Sequence, residues 1–142
     1  MFLLSVGELN ENKNHEVVIR ALAKLRNPNI HYAIARSGDL KNHLVKVVRD
    51  LGLDNQVHFL GHRNDIKELY RAADICVFPS VREGLGLAAL EGMACGLPLI
   101  CSDNRGTREY AIDGKNALVC RYDSVDDFVT AIYTLDNDAS SV

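Results

Sequence analysis

Residues 74–103 read DICVFPSVREGLGLAALEGMACGLPLICSD, and this stretch decides the fold. DICVFPS, 74–80, is a short apolar run stopped by Pro79, which predicts a buried strand. LAALEGMACG, 87–96, predicts a helix with Gly96 just past its end. PLICSD, 98–103, is a second buried strand. Strands that are apolar on both faces and joined through a helix imply a parallel sheet covered on both sides.

The same rhythm extends outward in both directions. FLLSV (2–6), HYAIA (31–35), VHFLG (57–61) and NALVC (116–120) are further strands. HEVVIRALAKL (15–25) is a helix with Val18, Leu22 and Leu25 on one face. LKNHLVKVVRDLG (40–52) places Leu44, Val47, Val48 and Leu51 inward and ends at Gly52. NDIKELYRAA (64–73) is a helix with Asn64 as its N-cap and Lys67 at the third position. RGTREYA fits one helical turn. SVDDFVTAIYTL (124–135) is a last helix, where Ser124 and Asp127 resemble a capping box. The polar tail DNDASSV is expected to fray.

The expected fold is therefore α/β: a Rossmann-like parallel sheet of about six strands with helices on both faces. Residues 1–142 fit a single domain, with no repeat, linker or low-complexity segment. Ligands of such folds bind outside the carboxyl ends of the strands. The loops to inspect are GELNENKN, RSGD, GHRND, PSVREGLG and SDNRGT.

Composition narrows the function. Hydrophobic residues make up 47% and charged residues 25%, as in soluble globular proteins. A net charge of -3 and a pI near 5.9 give no reason to expect nucleic acid or an anionic membrane as partner. A local basic site for phosphate remains open. No apolar run is long enough for a membrane helix, and MFLLSVGELN reaches Glu8 too early for a secretory signal. Cys76, Cys95, Cys101 and Cys120 lie in apolar runs without a CxxC, which points to reduced, packed thiols in a cytosolic protein. His58 and His62 have i,i+4 spacing, but His58 sits in a predicted strand, so no metal site is expected.

The PSVREGLG loop carries the chemistry. Gly84 and Gly86 precede a helix, where turned backbone amides and the helix dipole suit a phosphate. A turn needing positive φ would explain the same glycines. Glu83 and Glu91 bracket this region. Through a continuous helix they would lie about 80° apart, loosely on one side. Glu91 could be a solvated surface acid, but its small apolar neighbours suggest close packing, where a carboxylate needs a hydroxyl partner. Lys13, after the first strand, is a candidate phosphate contact. Gly84, Gly86 and Ala89 also match G-x-G-x-x-A, with Asp103 about 20 residues on, the fingerprint of an NAD- or FAD-binding domain. That motif wants its first glycine at the end of the first strand, whereas PSVRE intervenes here.

Taken together, SVGELNENKNHEVVIRALAKL, LGLDNQVHFLGHRNDIKELYRAADICVFPS and EGLGLAALEGMACGLPLICSDNRGTREYAIDGKNALV resemble the C-terminal, donor-binding half of group 1 (family 4) glycosyltransferases of the GT-B class. The resemblance covers essentially the whole chain, with the family's paired glutamates at Glu83 and Glu91. It implies retaining transfer of a glycosyl group, of hexosyltransferase type, from a nucleotide diphosphate sugar, UDP- or GDP-linked, without cofactor or catalytic metal. By the family pattern Glu83 positions the donor sugar as the catalytic residue. The amides of Gly84, Leu85, Gly86 and Leu87 hold the diphosphate, Glu91 the ribose hydroxyls, and Lys13 the phosphates. The loop with His62 and Arg63 lies by the base.

Two departures stand out. Glu8 occupies the place of a family arginine, so Lys13 must contribute more or Arg36 compensate. The family's GDGP-like turn reads RSGD at 36–39. The resemblance also implies a missing N-terminal acceptor-binding lobe, so the chain alone is expected to bind donor but transfer little or nothing. A donor-lobe subunit of a split enzyme is the alternative. Family membership further suggests polysaccharide or glycolipid synthesis in the cytoplasm, with the full enzyme peripheral to the inner face of the membrane.

Overall fold

The computed structural model describes residues 1–140. Twelve elements alternate along them: β1 (Phe2–Val6), α1 (His15–Leu25), β2 (His31–Ala35), α2 (Lys41–Asp50), β3 (Val57–Gly61) and α3 (Ile66–Ala72). Then come β4 (Ile75–Phe78), α4 (Leu87–Ala94), β5 (Leu99–Ser102), α5 (Arg105–Arg108), β6 (Leu118–Cys120) and α6 (Val125–Ser140). The strands form one six-stranded sheet in the order β3-β2-β1-β4-β5-β6, and every pairing is parallel.

The period-2 alternation of side chains divides each strand between two cores. Leu3, Tyr32, Ile34, Ile75, Val77 and Ile100 face α1, α2 and α6, where Leu22, Leu44, Val48, Phe128 and Ile132 cover them. Leu4, Val6, Ala33, Cys76, Phe78 and Cys101 face α3 and α4, meeting Tyr70 and Ala89. Gly92 lets α4 lie close to the sheet. A Cβ there would fall 2.6 Å from Cys76 Sγ and 3.3 Å from Tyr70 Cε1.

Several predicted ends move. Asn64 is not the N-cap of α3: Asp65 occupies that place, without a side-chain cap, and Asn64 Oδ1 lies 3.2 Å from His62 Nε2. Only half of the capping box at α6 forms. Asp127 N–H donates to Ser124 Oγ at 3.1 Å, but the Asp127 carboxylate accepts from Arg121, whose guanidinium and backbone N–H offer a better donor set than one amide. That arrangement holds the carboxyl of Asp127 at about 2. The tail expected to fray is helical through residue 140, because 136–140 continue α6; positions 141 and 142 lie outside the described residues. The four cysteines are free, three of them buried. No helix among the described residues is long and apolar enough to cross a membrane.

Candidate functional site

The strand order places the site. From β1 the chain steps outward through β2 and β3, then returns beside β1 with β4 and steps the other way. The loops after β1 and β4 thus diverge at a topological switch point, the crevice where ligands bind in such sheets. Lys13 is in the first of these loops and Glu83 in the second, 70 positions apart, and here they meet. Lys13 Nζ donates to Glu83 Oε1 at 2.5 Å, with both side chains largely buried. The ammonium also lies 5.8 Å from the centroid of the Phe78 ring, at the end of β4.

Two asparagines clasp the loops around this pair. Asn12 accepts from Arg82 N–H at 3.1 Å and donates to Arg82 C=O at 3.0 Å, so one amide reads both backbone groups. Asn12 C=O also accepts from Val81 N–H at 2.8 Å. Asn14, in the left-handed region at φ 61°, sits at the N-cap of α1 but does not cap it. Its amide donates instead to Pro79 C=O and Tyr122 C=O, at 2.9 and 2.8 Å. Neither role is readable from a polar loop; the Asn-Lys-Asn order around a candidate lysine was the only signal.

His15 fixes the floor of the first loop. It is the first residue of α1 and is buried. Its Nε2 lies 3.1 Å from both Gly7 C=O and Glu8 C=O. Carbonyls only accept, so Nε2 must carry the proton. Nδ1 faces Tyr32 Oη at 3.3 Å, and Tyr32 in turn donates to Ser5 Oγ at 2.8 Å. Burial lowers the imidazole pKa to about 4, keeping His15 neutral at pH 7.

The second loop leads into α4 through Gly86, whose φ of 83° is left-handed. A Cβ at Gly86 would fall 2.7 Å from Tyr110 Oη and 3.1 Å from Phe78 Cε2, so strain and crowding both require glycine. Gly84 has open space around it. Leu85 and Leu87 are exposed, although both are large and apolar. Gly84, Leu85 and Leu87 are thus exposed beside the amino end of α4, while Gly86 is buried. Burial raises the Tyr110 phenol to about 12, with nearby Cys101, Cys76 and Glu83 adding to it.

Glu91 does not share a continuous helix with Glu83, because α4 begins only at Leu87. Nor does it pack against the sheet, as its small neighbours suggested. Ala89 and Gly92 take that face, and Glu91 is exposed, its carboxylate without a hydrogen bond or ion pair among the described residues. Tyr70, which donates to Ala88 C=O at 2.8 Å, feels the charges of both Glu91 and Arg36. Arg36 has φ 121°, and its N–H donates to Gly61 C=O at 2.8 Å. The RSGD turn that follows packs on the first loop at Gly38, where a Cβ would be 2.5 Å from Leu9 C=O.

Other predicted residues are already engaged. The Arg63 guanidinium makes two bonds to Asp65, at 2.8 and 2.6 Å, so part of its donor set is already engaged. Glu8 is exposed and accepts only a long bond from Asn10, at 3.4 Å, while its carbonyl serves His15. Asp103, which a dinucleotide reading would place on a ribose, is paired with Arg108 at 2.8 Å. The described residues contain no cluster of three or more His, Cys, Asp or Glu able to hold a metal. His58 meets His31 rather than His62, at 3.0 Å.

Comparison with known proteins agrees with this architecture. The family model for glycosyl transferases group 1 matches residues 1–141. The chain is 42% identical over 110 residues to "Uncharacterized glycosyltransferase MJ1607" of Methanocaldococcus jannaschii, covering 75% of this chain and 28% of that protein. It superposes on Anabaena Alr3699/HepE in complex with UDP-glucose at a TM-score of 0.92 and 26% identity, over 98% of this chain and 40% of that one. It superposes on the C-terminal domain of a glycosyl transferase group 1 family protein (LpcC) from Francisella tularensis at 0.88 and 25% identity, over 98% of this chain and 77% of that one. The chain thus spans less than half the length of the first two proteins. It belongs to the group 1 glycosyltransferases, as the C-terminal, donor-binding lobe of their GT-B architecture.

Proposed function

We propose that this chain binds a nucleotide diphosphate sugar at the carboxyl ends of β1 and β4 and serves the donor half of a retaining glycosyl transfer. The observation that carries this reading is the meeting of Lys13 and Glu83 beside the exposed Gly84, Leu85 and Leu87. Cleavage of an anomeric bond builds negative charge on the leaving diphosphate and positive charge on the sugar. Lys13, the amides and the dipole of α4 stabilise the first without reorganisation. Glu83 holds sugar hydroxyls and orients the ring, a positioning role. Lys13 turns from Glu83 toward phosphate when donor arrives.

Glu91 takes the ribose hydroxyls, since its carboxylate is exposed and uncommitted. Arg36 supplies the cation that Glu8 does not, and the 62–63 turn meets the base through its backbone. UDP is the first nucleotide to test, because the similar Anabaena structure holds UDP-glucose. The acceptor is held by a lobe outside these 142 residues, and transfer requires that lobe, with polysaccharides or glycolipids as the products.

A melting-temperature panel of nucleotides and nucleotide sugars tests the reading, since a ligand of the native state stabilises it with the logarithm of its concentration. UDP or GDP should raise the melting temperature. Glu91→Ala should weaken bare nucleotide, whereas Glu83→Ala should spare it and remove only the gain contributed by the sugar. Equal losses for bare nucleotide in the two variants would refute this division. Transfer should appear only when an N-terminal lobe is added.

A further inference from the structure

A cleft of about 400 Å³ adjoins the site, lined by Val81, Arg82, Glu83, Gly84, Asn104 and Arg105. Its charges do not balance. Glu83 is answered by Lys13. Arg82 and Arg105 are both exposed, and neither meets a carboxylate among the described residues. Asp103 pairs with Arg108, and Glu109, four positions after Arg105, makes no ion pair with it among the described residues. Two guanidinium groups therefore border one concavity whose single lining carboxylate, Glu83, is already paired.

The backbones that carry them are fixed. Arg82 is held at both its N–H and its C=O by Asn12. Arg105 follows Asn104, whose buried side chain accepts from Thr107 N–H at 2.9 Å and donates to Ser80 C=O at 3.1 Å. Next to it, Gly106 packs so closely that a Cβ would lie 2.7 Å from Glu83 C=O. The two arginines thus stand on segments anchored to the loop that carries Glu83. A planar guanidinium offers paired donors that match a carboxylate or phosphate, and anchored backbones reduce the cost of ordering it.

We propose that Arg82 and Arg105 form an oxyanion subsite beside Glu83, which takes a carboxylate or phosphate group carried by one of the two sugar substrates. The proposal rests on the donor reading, because Glu83 then marks where the sugar lies. The anion has two sources: a carboxylate on the donor sugar itself, or a phosphate on the acceptor.

Calorimetric titration of the whole chain at low salt separates them. Bare UDP is the control for the donor reading. UDP-glucuronate against UDP-glucose probes the donor source, and inorganic pyrophosphate added to UDP-saturated protein probes the acceptor source. In one arm the charged probe should bind about tenfold more tightly than its neutral or UDP-blocked reference, the order expected of a charge-assisted contact. Arg82→Ala and Arg105→Ala should each remove most of that advantage, Arg105→Lys should restore part of it, and Arg49→Ala should leave it intact. Bare UDP should bind all four variants as it binds the parent. The proposal falls if neither probe gains, or if the gain survives in the double alanine variant. Pyrophosphate titrated into the free protein reads the same arginines without UDP. A failure of UDP with an arginine-dependent pyrophosphate signal would therefore count against the donor reading alone.

Discussion

The buried imidazole of His15 should make stability depend on pH in a defined window. In the folded chain its pKa lies at about 4, lowered chiefly by burial, against 6.5 for the ordinary group. The unfolded chain therefore takes up a proton that the folded chain refuses between those two values. Stability is fully present above pH 6.5, falls as pH drops toward about 4, and has no further slope from this group below that. At about 1.4 kcal/mol per pH unit the total loss is about 3 kcal/mol, a large part of a domain's stability. Urea denaturation followed by circular dichroism at pH 7, 6, 5 and 4.5 measures it. His15→Gln, which keeps an N–H for the two carbonyls and does not titrate, is the reference. His58, lowered by burial and by His31, titrates in the same direction but is common to both proteins and cancels in their difference. The low-lying carboxyls of Glu16, Asp50, Asp65, Asp103 and Asp127 cancel likewise. A difference that stays flat from pH 7 to 4.5 would refute the assignment of a neutral, buried His15. Because this ring holds the carbonyls of Gly7 and Glu8 ahead of Lys13 and stays neutral in the folded chain down to about pH 4, nucleotide affinity should not change through it across the same window.

Three further outcomes are expected. Gly92→Ala should cost about 1–3 kcal/mol in a denaturant titration, because its Cβ would overlap Cys76 Sγ and force α4 outward; an unchanged midpoint would contradict that close approach. Asn12→Ala should lower stability by about 1 kcal/mol and weaken nucleotide binding, and a loss of stability without loss of affinity would show that the clasp does not position Lys13. Thiol labelling of the native chain should reach Cys95 first, since Cys76, Cys101 and Cys120 are buried and burial pushes each of their thiols up to about 12; prompt labelling of all four would contradict their packing.

The strands were legible because their apolar runs report burial directly. FLLSV, HYAIA and VHFLG begin and end where the sequence places them. Helix ends were less legible. Asn64 and Asp65 are equally good capping residues by type, and in the fold neither caps α3 with its side chain: Asn64 meets His62 and Asp65 meets Arg63. The candidate residues could be named from the sequence, but not the way the fold groups them. Nothing local connects Lys13 to Glu83, or Asn12 to Arg82; only the reversal of strand order after β3 brings those loops together. Glu91 shows the opposite failure. Small neighbours signalled close packing, and they do pack, but one step around the helix from the carboxylate itself.

The clasp between Asn12 and Arg82 joins two triplets of strands, β1 to β3 and β4 to β6, across their shared seam. The first triplet carries Lys13 and the second Glu83, so neither holds the pair alone. A donor that touches Lys13 and Glu83 together is thus a ligand for the docked seam rather than for either piece. Its affinity reports how completely the two triplets have closed on one another. Substitutions far from any substrate atom, if they loosen the β1–β4 contact, should then register as weaker binding before they register as unfolding.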